Sequence, residues 1–287
     1  MVTRAVASLR FMLSVMDLHS DWIIPDWPAP AAVHALFTTR AGGVSSAPFD
    51  SMNLGAHVGD RAGAVMTNRA FLQSAIGTRA VFLEQVHGSK VLAISAQTAD
   101  GRTADACITD RRKLACTIMV ADCLPVLLAT KAGDAVAAAH AGWRGLAGTG
   151  EGAGGGVLAS VYASFSALAQ AGRAQEAIKT IAWLGPCIGP GAFEVGAEVK
   201  AAFEAVRPAA ARFFVAIGPG KYLANLPALA RLRLRALGIN EIYGNDGTAA
   251  WCTASNPSRF FSHRRDAAVT GNGFGTTGRM AACIWLE

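Results

Sequence analysis

Short apolar runs follow one another through this chain with a few helical stretches among them, and no other feature limits the fold as strongly. Strand-like runs occur at VHALFTT, AVFLEQVH, KVLAIS, LACTIMVA, PVLLAT, AVAAAH, IKTIAWLG, RFFVAI, EIYG, RFFSH and RMAACIWL. Helical periodicity fits residues 60–76, 157–171, 194–206 and 226–237. This pattern requires a sheet covered by helices. The helices are too few and too unevenly spaced for a regular β-α-β alternation, and several successive strands have short connections. The sheet is therefore expected to be mixed rather than doubly wound.

With 52% hydrophobic and 16% charged residues in 287, the chain can fill a large core. The net charge of +6 is scattered, with small basic clusters at 111–113, 231–235 and 263–265. In LARLRLRALG the arginines fit the wet side of an amphipathic helix, so no nucleic-acid partner is expected, whereas the charge suits a small anionic substrate. Six cysteines at 107, 116, 123, 187, 252 and 283 lack short repeated spacings and read as reduced thiols of a cytoplasmic protein. Residues 1–20 read as an upstream start or a disordered leader rather than a signal peptide, and residues 21–287 as one domain. No run approaches about 18 uninterrupted apolar residues, so no membrane partner is expected.

GTGEGAGGG at 148–156 matches G-x-G-x-x-G through Gly150, Gly152 and Gly155. A dinucleotide loop needs a strand directly before it and an acidic residue about 20 positions on. The chain has neither, and no G-K-[ST] follows for a P-loop. The segment reads as a flexible insertion ahead of a helix.

Three residues with ligand chemistry sit at or just past the ends of expected strands: His87 in LEQVHG, Cys123 in ADCLP and His140 in AHAGWRG. Two imidazoles and a thiolate suit Zn²⁺ with its fourth position open, as in catalytic sites. Separations of 36 and 17 residues form no compact motif, and a single histidine near an apolar strand is more often a hydrogen-bonded structural residue. Glycines beside His87 and His140 favour close approach of substrate or backbone.

An ordered set of segments carries a more specific signal: TTRAGGVSSAPFDSMNLGAHVGD (38–60), LEQVHGSKV (83–91), ADACITD (104–110), ADCLPVLLA (121–129), AHAGWRGLAG (139–148), GPCIGPGAFEVGAEV (185–199) and FFSHRRD (260–266). From about residue 30 to the C-terminus the chain resembles the YfiH family, also called laccase-domain or polyphenol-oxidoreductase-like. The resemblance implies a three-layer α/β/α fold with a mixed sheet, a zinc site at His87, Cys123 and His140, and purine nucleoside phosphorolysis with associated adenosine deamination. The chain departs from the family pattern in the glycine-rich stretch at 148–156 and in an insertion at 267–276, which leaves Thr277, Gly278 and Arg279 in the usual TGR place.

Further residues acquire candidate roles. Arg40, before the turn glycines of AGGVS, would contact phosphate or act as an ordinary turn arginine. Arg144 would close the same anion site or form a surface ion pair. Asn53 and Gln85 would hydrogen-bond ribose or base, or serve as a turn residue and an edge residue; period-two alternation puts Gln85 and His87 on one face of a strand. Asp122 would orient a histidine or take a proton, although it neighbours Cys123 and would point the other way. Cys187 reads as buried and inert, and Glu194 as favouring the positive end of a helix. The leading function is a zinc-dependent purine nucleoside phosphorylase acting on nucleoside and phosphate, as monomer or homodimer. Copper-dependent phenol oxidation and a hydrolase with Cys123 as nucleophile, editing a cell-wall precursor, are the alternatives.

Overall fold

A computed structural model describes residues 18–149, 155–171, 178–269 and 276–287. Most of the 1–20 leader, the centre of the glycine-rich stretch and most of the 267–276 insertion lie outside the described residues. In chain order the elements are β1 (Val33–Phe37), α1 (Ala62–Ile76), β2 (Arg79–Phe82), β3 (Val91–Ala93), β4 (Ala106–Thr109), β5 (Leu114–Val120), β6 (Leu124–Thr130) and β7 (Val136–Ala141). There follow α2 (Trp143–Ala147), α3 (Gly156–Gln170), β8 (Thr180–Leu184), β9 (Glu194–Gly196), α4 (Ala197–Val206), β10 (Phe214–Gly218) and β11 (Lys221–Ala224). The last are α5 (Leu226–Ala236), β12 (Glu241–Gly244), α6 (His263–Val269) and β13 (Met280–Leu286).

The strands form a four-stranded sheet in the order β1-β13-β5-β2, a six-stranded sheet β12-β8-β6-β7-β4-β3, and a small sheet β10-β11-β9. Both larger sheets are mixed, as expected: β2 runs parallel to β5 where β13 runs antiparallel to it, and β12–β8 and β3–β4 are the parallel pairs of the six-stranded sheet. Helices lie outside and strands inside. The central β layer is two sheets packed face to face.

Strand composition explains this packing. Every residue of β5, β6 and β7 is buried, which requires cover on both faces. Along β7, Ala137 and Ala139 face one core together with α3, while Val136 and Ala138 face the seam between the sheets with Ile118 and Ile284. Small residues on the helix side let α3 sit close. Helix α3 buries Val157, Val161, Phe165 and Ala169 at four-residue intervals. Helix α1 covers the outer face of the four-stranded sheet through Leu72 and Ile76, and ends at Gly77 in the left-handed region (φ 62°).

Three sequence expectations change. RFFSH is not a strand, because Phe260 and Phe261 are fully buried in the seam while the Ser262 hydroxyl accepts from the Arg265 N–H and starts α6. The expected helix at 194–206 begins only at Ala197, since residues 194–196 pair with β11. The short β4 was hidden within ADACITD. No helix among the described residues is long and apolar enough to cross a membrane.

Phe165→Ala removes a fully buried ring from between α3 and the six-stranded sheet. It should cost about 3–5 kcal/mol of unfolding free energy, read as a lower midpoint in urea denaturation with an unchanged slope.

Candidate metal centre and cavity

The chain passes from one large sheet to the other at residues 121–123, between β5 and β6, and Cys123 sits at this crossing. His140 is the penultimate residue of β7 and shares the parity of Val136 and Ala138, so its ring points into the end of the seam. His87 lies in the loop after β2 with φ 61°, a left-handed conformation uncommon for a residue with a side chain. These three elements bring one ligand atom each from His87, Cys123 and His140 within 4.8 Å of one another. Cys123 Sγ is 3.7 Å from His87 Nε2, and the two imidazole rings lie 4.7 Å apart at 66°.

Asp105, just before β4, organises two of the three. Its Oδ1 accepts from His140 Nδ1 at 2.8 Å and from the His87 N–H at 2.8 Å. Its Oδ2 accepts from the Gly88 N–H at 2.7 Å and the Val86 N–H at 3.2 Å. Holding the proton on Nδ1 leaves His140 Nε2 free, the outer-shell arrangement of metal-binding histidines. Glycine is required nearby. A Cβ on Gly142 would meet Cys123 Sγ and His87 Cδ2, each at 2.9 Å, and one on Gly145 would meet the Gly88 carbonyl at 2.7 Å.

Burial pushes the Cys123 thiol up, but His140 and His87 outweigh it and hold the group at about 6. Burial pushes His140 down, yet Cys123 and Asp105 raise it to about 9. Burial likewise opposes ionisation of Asp105, and the bond to His140 with the Gly88 and Val86 N–H groups brings its carboxyl below the usual range. Without metal the group is a thiolate–imidazolium pair beside a carboxylate. That field suits a cation. Zinc bonds of about 2.0–2.3 Å place tetrahedral ligand atoms roughly 3.4–3.7 Å apart, so the donors and the 3.7 Å sulfur–nitrogen separation fit such an ion.

These three side chains line a cavity of about 420 Å³ together with Gln85, Trp143, Arg144, Phe193, Arg264 and Arg279. Gln85 does not share a strand face with His87, because β2 ends at Phe82; its amide pairs with both the N–H and the carbonyl of Met119, each at 2.8 Å. Arg144 is exposed with its guanidinium 4.9 Å from the centre of the Trp143 ring. Arg40 and Asn53 are not in the lining. Arg40 donates to the Asp50 carbonyl, the Asp50 carboxylate and the Pro257 carbonyl. Asn53 is fully buried and bonded to Gly55, Asp60 and Arg279. Asp122 orients neither histidine: it accepts from Thr253 Oγ1 and the Arg264 N–H, both at 2.6 Å, and so secures the crossing. Cys187 is buried and its thiol is pushed up by burial and by nearby Asp122. Glu194 lies in β9 and pairs with Lys221. Asp105, His57 and His263 were assigned no role from the sequence. Each falls in a segment that carries the family resemblance, but only the pairing of β4 with β7 places Asp105 beside His140.

A family model described as multi-copper polyphenol oxidoreductase laccase matches residues 34–287. A Pseudomonas aeruginosa protein named purine nucleoside phosphorylase is 45% identical over 267 residues, covering 93% of this chain and 98% of its own. Escherichia coli YfiH, with the same descriptive name, is 45% identical over 269 residues, covering 93% and 99%. The crystal structure of Neisseria meningitidis protein NMB0706 matches with a TM-score of 0.80 at 44% identity, over 93% of this chain and 99% of that one. Bacillus licheniformis YfiH matches with a TM-score of 0.72 at 29% identity, over 89% and 93%.

Two outcomes follow from the geometry. Gly142→Ala should lower the bound metal per chain, measured by elemental analysis, while far-ultraviolet circular dichroism stays unchanged. In metal-stripped protein, iodoacetamide should alkylate Cys123 at a rate that rises with pH through a midpoint near 6, because the thiolate is the reactive form.

Proposed function

The chain belongs to the family described as multi-copper polyphenol oxidoreductase laccase, which includes YfiH, and we propose that it is a zinc-dependent purine nucleoside phosphorylase. The observation that carries this reading is the charge of the cavity. Arg144, Arg264 and Arg279 line it, and its one lining carboxylate among the described residues, Asp122, is occupied at both oxygens. Such a cavity attracts an anionic reactant.

In phosphorolysis a phosphate oxygen bonds to the sugar C1′ as the bond from C1′ to the purine nitrogen breaks, and the electron pair leaves with the base. The site must hold the anion close to C1′ and stabilise charge on the departing purine. A zinc ion held by His87, Cys123 and His140 would supply Lewis-acid polarisation on the purine side, and a side activity on adenosine as a deaminase rests on the same property. Asp105 keeps His140 oriented by bonding its Nδ1. Trp143 and Phe193 offer apolar ring surface for a purine, and Arg144 brings its charge to the rim. Gln85 holds the wall by pairing with Met119, so its part in substrate binding is positional. Six free cysteines accord with a reducing cytoplasm.

Copper also accepts two imidazoles and a thiolate, but among the described residues no second group of metal-binding side chains gathers to make a multicopper centre. One observation favours a second reading. Asp105, His140 and Cys123 form a chain of carboxylate, imidazole and lowered-pKa thiol, the arrangement of a cysteine hydrolase able to edit a cell-wall precursor.

Protein incubated with adenosine, inosine, guanosine or methylthioadenosine and phosphate should release the base and the sugar 1-phosphate. Cys123→Ala should lower turnover ~100-fold or more, about 3 kcal/mol of barrier, together with zinc content. No turnover of any purine nucleoside overturns the proposal; protein that is active after metal removal and inactivated by alkylation of Cys123 favours the hydrolase.

A further inference from the structure

We propose that Arg279 binds the attacking oxyanion, inorganic phosphate, and that Asn53 positions it; this rests on the phosphorylase reading. Arg279 precedes β13 and lines the cavity. Its Nη1 donates to the Thr277 carbonyl at 2.9 Å and the Gly278 carbonyl at 3.2 Å. Among the described residues no acceptor serves its Nε or Nη2, and no carboxylate pairs with it. Cys123 and Asp122 are near enough to influence it, but Cys123 Sγ faces His87 and Asp122 is committed at both oxygens to Thr253 and Arg264. A half-buried guanidinium whose N–H groups lack acceptors is costly. Two free N–H directions on a planar fork match the paired oxygens of a phosphate. Of the two arginines that the sequence suggested for the anion, Arg40 has its fork filled by Asp50 and Pro257, and Arg144 is exposed against the Trp143 ring.

The loop carrying Asn53 fixes this arginine from both sides. Asn53 Oδ1 accepts the Arg279 N–H at 2.9 Å, and the Arg279 carbonyl accepts the Leu54 N–H at 3.0 Å. The aliphatic stem of Arg279 lies on Gly55, where a Cβ would come within 2.7 Å of Arg279 Cγ. Asn53 is itself held by its Nδ2 donating to Asp60 at 2.9 Å. The same loop brings His57 to the cavity wall, beside the arginine. Asn53 touches no part of the cavity. It acts through Arg279.

The test uses the full chain as purified, with its metal content measured. Inorganic phosphate is titrated by calorimetry, and steady-state KM values are taken for phosphate and for nucleoside. Arg279→Met should weaken phosphate binding by roughly 30-fold and leave the nucleoside KM within about twofold, while Arg279→Lys should fall between. Asn53→Ala should raise the phosphate KM by about 3- to 10-fold without raising the nucleoside KM; general damage to the fold would instead lower the active fraction and kcat. Wild-type phosphate affinity in both Arg279 variants, or no phosphate binding by the wild type, overturns the inference. An unchanged phosphate KM in Asn53→Ala removes the positioning role. If phosphate binds, is lost in Arg279→Met, and no purine nucleoside turns over, the oxyanion site stands and the phosphorylase reading falls. If nucleosides are cleaved and Arg279→Met leaves the phosphate KM unchanged, the reverse holds.

Discussion

The buried carboxylate of Asp105 holds the functional end of this protein together. Its four hydrogen bonds reach His140 at the end of β7 and three successive backbone N–H groups at residues 86–88. A carboxylate so far from water is stable as an anion only where donors replace its hydration. The loop that satisfies it presents His87, and the ring that satisfies it is His140. One group therefore fixes two ligands at once, and the left-handed backbone of His87 is held by the same bonds.

The third ligand is placed by topology. Strands β5 and β6 are consecutive but belong to different sheets, so the chain turns over the end of the seam at 121–123. Asp122 at φ 88° makes that turn, and its side chain fastens it to Thr253 and to the start of α6. Central strands covered on both faces form the floor. The open end of their seam is where side chains can meet without breaking a ladder.

The sequence made most strands of the two large sheets legible, because β5, β6, β7 and β13 are apolar runs long enough to be distinctive. It concealed β4, β9 and β11, whose three or four residues carry no period of their own. Residue type and strand-end position made His87, Cys123 and His140 candidate ligands, the family resemblance singled them out, and the coordinates bring them together. Arg40 and Asn53 looked like binding residues for the reason that makes them good scaffold: polar groups in a glycine-rich turn have many backbone partners to take up. What separates Arg40 from Arg279 is the number of donors left after folding, and no spacing rule reports that number.

The same distinction governs how the site is stabilised. An Arg279 without a carboxylate partner and a histidine in the left-handed region are each unfavourable for a folded chain alone. They persist because the surrounding structure over-determines them: Asn53 and Gly55 clamp Arg279, Asp105 accepts the His87 N–H, and the seam core lies beneath. Arg279 and the side chains of His87, Cys123 and His140 all face one cavity. A cation between the ligands and an anion on the arginine would complete them, so local instability and reactant recognition are the same property seen before and after binding.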